Sequence, residues 1–252
     1  MKPKERRAKI FDIIRQEGRV SVDRLVVEYD TSAETIRRDL AKLSKTGKVQ
    51  KIHGGAVLPN ADEEGPYQKR LSENVKEKRQ VAQLASKLIS KGESLFINAG
   101  SSTLLFAEEL FQLSELTIIT NSTQIAKLIS SANNSNKVIL LGGEYVAEGH
   151  QTSGLIAIEQ LNNFYVQHAV LACAAIDAEL GVMAFDYNEA LIAKAMLAQS
   201  ENIIVLSDKS KFNRKALYKM GELKQIDQLV CEVSPELDLK QALEQNKVSV
   251  IC

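Results

Sequence analysis

The chain has 252 residues, 44% of them hydrophobic and 25% charged, enough for one large domain or for a small and a medium domain with their own cores and no disulfide staples. Its 32 basic and 32 acidic residues cancel, which excludes a polybasic tail protein and a highly charged disordered chain. The balance hides an asymmetry: residues 1–58 hold 14 Lys or Arg against 8 Asp or Glu, a net +6, and the remainder carries −6, so a small basic module precedes a larger acidic one.

Three cysteines, Cys173, Cys231 and Cys252, form no close pair in sequence, so neither a disulfide framework nor a four-ligand zinc site follows from their spacing. Reduced thiols are expected. The opening MKPKERRAKIFDII has no continuous apolar stretch of the kind a secretory leader needs, and no later run approaches about 18 apolar residues. The expectation is a soluble, cytoplasmic protein with no membrane partner.

In the basic module, Ile10, Ile13 and Ile14 lie at helical spacing and Gly18 follows as a stop. Leu25, Val26 and Tyr29 define a second short helix, with Ser21 placed to cap it. In the third segment, TSAETIRRDLAKLSKTG, Thr31 and Glu34 have capping-box spacing. Ile36, Leu40 and Leu43 then share one stripe, and Thr35, Arg38, Lys42 and Lys45 fall on the opposite face with Arg37 on the flank. After Gly47, alternation around Val49 and Ile52 and the pair Gly54 and Gly55 predict two strands and a turn. Three short helices and a basic hairpin describe a winged helix-turn-helix, whose third helix fits a major groove.

The string TIRRDL at 35–40, followed by HGGA at 53–56, resembles the amino-terminal domain of the DeoR family of bacterial transcriptional regulators. By that resemblance 32–44 is the recognition helix, Arg37 and Arg38 touch operator DNA, and 48–57 forms the wing. The expected DNA-facing set is Ser32, Thr35, Arg37, Arg38, Lys42, Lys48, Lys51 and His53.

Residues 59–73 carry two prolines, a glycine and an acidic cluster with little periodicity, which predicts a linker between domains at 1–58 and 74–252. Beyond it, the apolar runs SLFIN, LTIIT, KVILL, HAVLACAA, NIIVLS, QLVC and VSVI alternate with helical patterns at 75–90, 104–113, 124–131 and 189–199. Strands separated by helices predict an α/β domain with a mostly parallel sheet flanked by helices.

Ligands of such sheets sit beyond the carboxyl ends of the strands. There the loop NAGSST at 98–103 precedes a helix: Gly100 permits close backbone approach, Ser101, Ser102 and Thr103 supply hydroxyls, and the helix start favours an anion. TNS at 120–122, LGGE at 141–144 and SDKSKF at 207–212 follow other strands, and small, hydroxyl or ionic residues at several strand ends point to a ligand.

This pattern too is similar to the DeoR family, whose carboxy-terminal domain resembles ribose-5-phosphate isomerase and senses a phosphorylated sugar or related metabolite. The resemblance implies phosphate contact at Gly100, Ser101, Ser102 and Thr103, ligand or structural roles for Asn121, Gly142 and Gly143, and polar contacts from Asp177, Glu189 and Lys211. Two departures stand out. Asn98 occupies a strand end where family members commonly have an acid, and ACAAID at 172–177 replaces a glycine-rich stretch. FDYNEA at 185–190 is similar to a string in some glycerol-phosphate and sugar-operon regulators.

The rival reading is a sugar-phosphate isomerase with a DNA-binding appendage, which needs a carboxylate base and enediolate-stabilising donors. Glu189 and Lys211 would serve. The isomerases that the domain resembles carry paired acids, and the first of the two falls here on Ala174, leaving Asp177. His53, His150 and His168 lack metal-ligand spacing, and there is neither a P-loop nor a G-x-G-x-x-G string. The expected protein is a repressor of a carbohydrate operon, a homodimer or homotetramer with no cofactor, no metal and no catalytic residue.

Overall fold

The apolar positions at helical spacing become the core of the first of two units, Met1–Glu63 and Glu64–Cys252, in a computed structural model that describes residues 3–17, 19–45, 49–52, 54–57, 65–132 and 134–252. The first unit runs α1 (Pro3–Glu17), β1 (Arg19–Ser21), α2 (Val22–Tyr29), α3 (Ala33–Lys45), β2 (Gln50–Ile52) and β3 (Gly55–Val57). Ile10, Ile14, Leu25, Ile36, Leu40 and Leu43 meet in one core, as residues three and four apart on each helix must share a face.

Ser21 Oγ accepts from the Arg24 N–H at 3.2 Å, the expected cap of α2. The cap of α3 is corrected by one residue: Ser32 Oγ, not Thr31, accepts from the Thr35 N–H at 3.3 Å, and Glu34 pairs with Arg38 instead of closing a capping box. The wing also has one strand more than expected. β1 joins β2 and β3 in an antiparallel sheet of order β1-β3-β2. At three residues it carries no alternation to read, and it forms because Val22 N–H reaches Gly54 O and the strands close on each other. A Cβ at Gly55 would lie 2.2 Å from Val20 O, so only glycine admits this approach.

The second unit runs α4 (Tyr67–Ser72), α5 (Val75–Ser86), β4 (Ser94–Ile97), α6 (Ser101–Glu109), β5 (Thr117–Thr120), α7 (Thr123–Ser130), β6 (Lys137–Leu140), β7 (Glu144–Val146), β8 (Gln151–Ser153) and α8 (Leu155–Leu161). It continues with β9 (Val166–Ala172), β10 (Ala175–Asp177), β11 (Gly181–Ala184), α9 (Tyr187–Ala198), β12 (Ser200–Leu206), β13 (Tyr218–Gly221), β14 (Gln228–Val230), α10 (Leu237–Gln245) and β15 (Ser249–Ile251). All seven apolar runs of the sequence enter one parallel sheet of order β15-β14-β12-β9-β4-β5-β6.

The central strands of that sheet are buried on both faces, while the edge strands β6 and β15 are partly exposed, and the period of two sorts the residues. Leu95, Ile97, Ile118, Val170, Ile204 and Val230 pack with α5, α6 and α7. Phe96, Ile119, Ala169, Leu171, Val205 and Leu229 pack with α8, α9 and α10 on the other side. Both faces being covered explains why the strands read as continuous apolar runs rather than alternating ones; each large side chain fully buried contributes about 2 kcal/mol.

Residues 67–72 lie in the stretch expected to be a plain connector, yet they form α4. Only Tyr67 of this helix is buried, and its hydroxyl donates to Gln124 Oε1 at 2.6 Å. Six residues with one apolar anchor carry no periodicity, and packing on the larger unit supplies the order that local propensity lacks. No helix among the described residues is long and apolar enough to cross a membrane.

Candidate functional site

On α3 the buried stripe dictates what faces out. Arg37, Arg38 and Lys42 are exposed, and the Arg38 side chain is 76% accessible with only an i,i+4 contact to Glu34 at 3.2 Å. Ser32 Oγ and Thr35 Oγ1, 2.9 Å apart, mark the start of the same helix. The helix is held by a residue that the sequence reading left unassigned: Asp39, 5% accessible, takes Arg6 Nε at 2.6 Å and Arg7 Nη1 at 3.1 Å, tying α1 to α3. Lys48 and His53 lie outside the described residues; Lys51 sits in β2, paired with Ala56 of the wing.

In the second unit, β4 has β5 on one side and β9 on the other, so the strand order reverses there and the loops after β4 and β9 leave toward opposite faces. A cleft opens between them, where ligands of such sheets bind. It is lined by Asn98, Gly100, Ser101, Ser102, Cys173, Ala174, Glu189, Lys211 and Arg70, among others. Gly100 is required by contact: a Cβ there would stand 2.7 Å from Ala172 Cβ. No side chain caps α6, so its first-turn amides, unpaired within the helix by geometry, favour an anion at the cleft.

Two profiles match the two units: "DeoR-like helix-turn-helix domain" over 6–62 and "DeoR C terminal sensor domain" over 73–233. The chain belongs to the DeoR family. Curated relatives span its whole length. The glycerol-3-phosphate regulon repressor of Haemophilus influenzae is 32% identical over 100% of this chain and 98% of its own, and that of Escherichia coli K12 is 28% identical over 99% of each. The HTH-type transcriptional repressor GlcR of Bacillus subtilis is 28% identical over 100% of this chain and 96% of its own. Among solved structures, ribose 5-phosphate isomerase A from Neisseria gonorrhoeae has a TM-score of 0.40 and 17% identity over 54% of this chain and 52% of that one. The protein is thus a DNA-binding transcriptional regulator with a carboxy-terminal sensor domain.

Within this DeoR-family sensor domain, the cleft gathers six of the residues picked out from sequence, Asn98, Gly100, Ser101, Ser102, Glu189 and Lys211, and leaves five outside its lining. Thr103 is fully buried, and its hydroxyl, 2.7 Å from Asn98 O and 3.1 Å from Gly100 O, is spent on shaping the loop. Asn121 Oδ1 accepts from the Ala99 N–H at 2.9 Å while its Nδ2 donates to Thr152 O at 3.0 Å, bracing the loop from behind. Gly142 N–H donates to Gln160 Oε1, and a Cβ at Gly143 would meet Ser153 O at 2.4 Å, so both serve packing. Asp177 Oδ1 accepts from the Glu179 and Leu180 N–H groups, closing the turn between β10 and β11.

Asn98 has a reason to be an amide in this chain. Its Nδ2 donates to Ala172 O at 3.1 Å and its Oδ1 accepts from Ala172 N–H at 2.9 Å, clasping the ends of β4 and β9. A carboxylate can accept but cannot make the first of these bonds.

Sequence reasoning missed three contributors, Arg70, Gln151 and Lys78, while Asp208 lies in the strand-end segment SDKSKF that it did single out. Arg70 of α4 lines this cleft and a neighbouring one that also shares Glu189, and its guanidinium lies 5.4 Å from the Tyr67 ring centroid. Gln151 of β8 donates to Glu189 Oε1 at 2.9 Å, orienting that carboxylate. Lys78, 4% exposed, donates from Nζ to Arg70 O at 2.5 Å. Asp208 Oδ1 accepts from Asn74 Nδ2 at 3.2 Å and Ser210 N–H at 3.0 Å, and Oδ2 is buried with no hydrogen-bond partner. Burial holds the Lys78 ammonium below its ordinary pKa; the carboxylates of Asp208 and Glu73 oppose this, while Lys211 and Arg70 reinforce it. Lys78, Arg70 and Lys211 therefore lie close enough to one another and to the carboxylates of Asp208 and Glu73 to act on each other beside the cleft. In sequence, Asp208 and Lys211 stood out at a strand end, whereas Lys78 was one more helical lysine and Arg70 an arginine in an apparent connector.

Proposed function

We propose that the protein is a homo-oligomeric, non-catalytic repressor of a carbohydrate-use operon whose DNA affinity changes when a phosphorylated sugar or related metabolite fills the cleft between β4 and β9. The observation that carries this is one cleft combining the amide end of α6, Ser101 and Ser102 with the cations Arg70 and Lys211 and the carboxylate Glu189. The amides and cations suit a phosphate, and the carboxylate, steadied by Gln151, suits a ligand hydroxyl. The relatives named for a glycerol-3-phosphate regulon make a three-carbon polyol phosphate the first ligand to try.

For the DNA side, Ser32, Thr35, Arg37, Arg38 and Lys42, with Lys48, Lys51 and His53 of the wing segment, form the assigned contact set. Each phosphate neutralised should contribute a log-log salt slope of about −0.9. One such module has a small footprint, so pairing of half-sites through the larger unit is expected. Against catalysis, Glu189 is the single carboxylate among the cleft-lining residues, and Asp177 spends its Oδ1 on a turn.

The test is a thermal-shift screen of the full-length chain with glycerol 3-phosphate, glucose 6-phosphate and fructose 6-phosphate, followed by operator titrations with and without any stabilising compound, and light scattering. A monomer with and without DNA overturns the assembly. Turnover of the bound compound that Glu189→Gln abolishes replaces the sensor reading by the isomerase one.

A further inference from the structure

Cys231 and Cys252 are 21 residues apart in the chain, and the sheet makes them neighbours. β14 and β15 pair in parallel with Val230 opposite Ile251, so the next residues face each other as the strands end. Cys231 N–H donates to Ile251 O at 2.9 Å. The two sulfurs lie 3.2 Å apart. Cys231 is fully buried and Cys252 is exposed. Burial first, and the Cys252 thiol second, push the Cys231 thiol well above its ordinary pKa.

We propose that this pair is a peroxide-sensitive modification site, in which Cys252 reacts first and Cys231 resolves it into an intramolecular disulfide. The Cys252 thiolate attacks one oxygen of hydrogen peroxide; the O–O bond breaks, hydroxide leaves and Cys252 becomes a sulfenic acid. Cys231 sulfur then attacks the Cys252 sulfur; the S–O bond breaks, and the departing hydroxide takes the Cys231 proton and leaves as water. In sum, two thiols and one peroxide give a disulfide and two waters, the sulfurs being oxidised and the peroxide reduced. Access sets the order, because the peroxide reaches Cys252 and not Cys231. Both residues stand just past the last paired positions of β14 and β15, Val230 and Ile251, so closing the gap does not require a break in the strand pairing.

The bond would be felt at the cleft. Glu232, next to Cys231, accepts the Lys209 N–H through its carboxylate at 3.1 and 3.2 Å, and its carbonyl accepts from Gln80 Nε2 at 3.5 Å. Lys209 opens the turn that carries Lys211 into the cleft lining. Fixing Cys231 therefore stiffens the support of that turn.

The experiment treats reduced full-length protein with hydrogen peroxide and reads intact mass, peptide linkage and amide exchange. The expected product is a single, uncrosslinked chain lighter by two hydrogens, with Cys231 joined to Cys252, reversed by dithiothreitol. Cys252→Ser should lose the mass change and leave Cys231 titratable only after unfolding. Exchange across 209–212 should slow several-fold in the oxidised form. Conversion of Cys252 to a sulfinic acid or an intermolecular disulfide, with Cys231 still a thiol, overturns the site. An unchanged exchange rate across 209–212 in the disulfide form overturns its link to the cleft.

Discussion

The exposed face of α3 and the cleft between β4 and β9 both gather cations, by different means. On α3 one helix carries Arg37, Arg38 and Lys42 in sequence proximity, all exposed, and a buried stripe on the opposite side turns them outward. In the cleft, Arg70 comes from α4, Lys78 supports it from α5, and Lys211 arrives from the turn after β12. Solvated cations suit a partner that brings its own extended charge, such as a DNA backbone, with screening by salt. Cations at a partly enclosed edge, beside helix amides, suit one compact anion. On the proposed reading, exposure separates a surface for a long polyanion from a site for a small one.

The largest effect that bears on this contrast is expected at Asp39. Replacing it with alanine leaves Arg6 and Arg7 without the carboxylate that joins α1 to α3; breaking such a pair costs about 3 kcal/mol. Denaturant melts of the full chain should show early loss of amino-terminal structure, with operator binding lost and any effector-induced thermal shift of the larger unit retained. If operator affinity is unchanged, α3 does not depend on that anchor.

Next comes Gly100→Ala. The added methyl meets Ala172 Cβ at 2.7 Å, and overpacking of this kind costs about 1 to 3 kcal/mol. Calorimetric titration with the compound found by thermal shift should show loss of binding while the operator affinity of the ligand-free protein stays. Binding that survives would move the anion away from this loop.

Arg37→Ala and Arg38→Ala should each weaken operator binding by about 1 to 2 kcal/mol, read by fluorescence anisotropy at several salt concentrations. Stability should hardly change, since the exposed Arg38 and Glu34 pair contributes only a few tenths of a kcal/mol. A variant whose melting temperature falls as much as its affinity would make these arginines structural.

Lys78→Met gives the smallest shift and the most specific signature. Arg70 O loses its donor, at about 1 kcal/mol, and effector response should drop more than operator binding. The wild-type folded pKa lies below the ordinary value of 10.5, so between the two the unfolded chain binds more protons and stability rises with pH. The variant should lack that rise in urea melts taken from neutral pH to about pH 10. Equal slopes for both proteins would show that the ammonium is solvated in the native state.

What the chain determines by itself is whatever depends on near neighbours. Period 3.6 placed Ile36, Leu40 and Leu43 inside and Arg37, Arg38 and Lys42 outside; seven apolar runs marked seven parallel strands; Gly100 and the serines that open α6 marked a strand end of anion-suited chemistry. These follow from local geometry, in which residues a few positions apart share a face or a turn. Tertiary structure alone decided the rest. β1 exists only through pairing, α4 through one buried tyrosine, and Asn121 and Thr103 became braces because their partners, Thr152 O and Asn98 O, come from the fold. Arg70, Lys78 and Gln151 joined the site across 8 to 38 residues of chain, from Arg70 to Lys78 and from Gln151 to Glu189, and Cys231 met Cys252 across 21. A buried donor or thiol is specified by who surrounds it in space, and a linear pattern records that only when those neighbours are also neighbours in the chain.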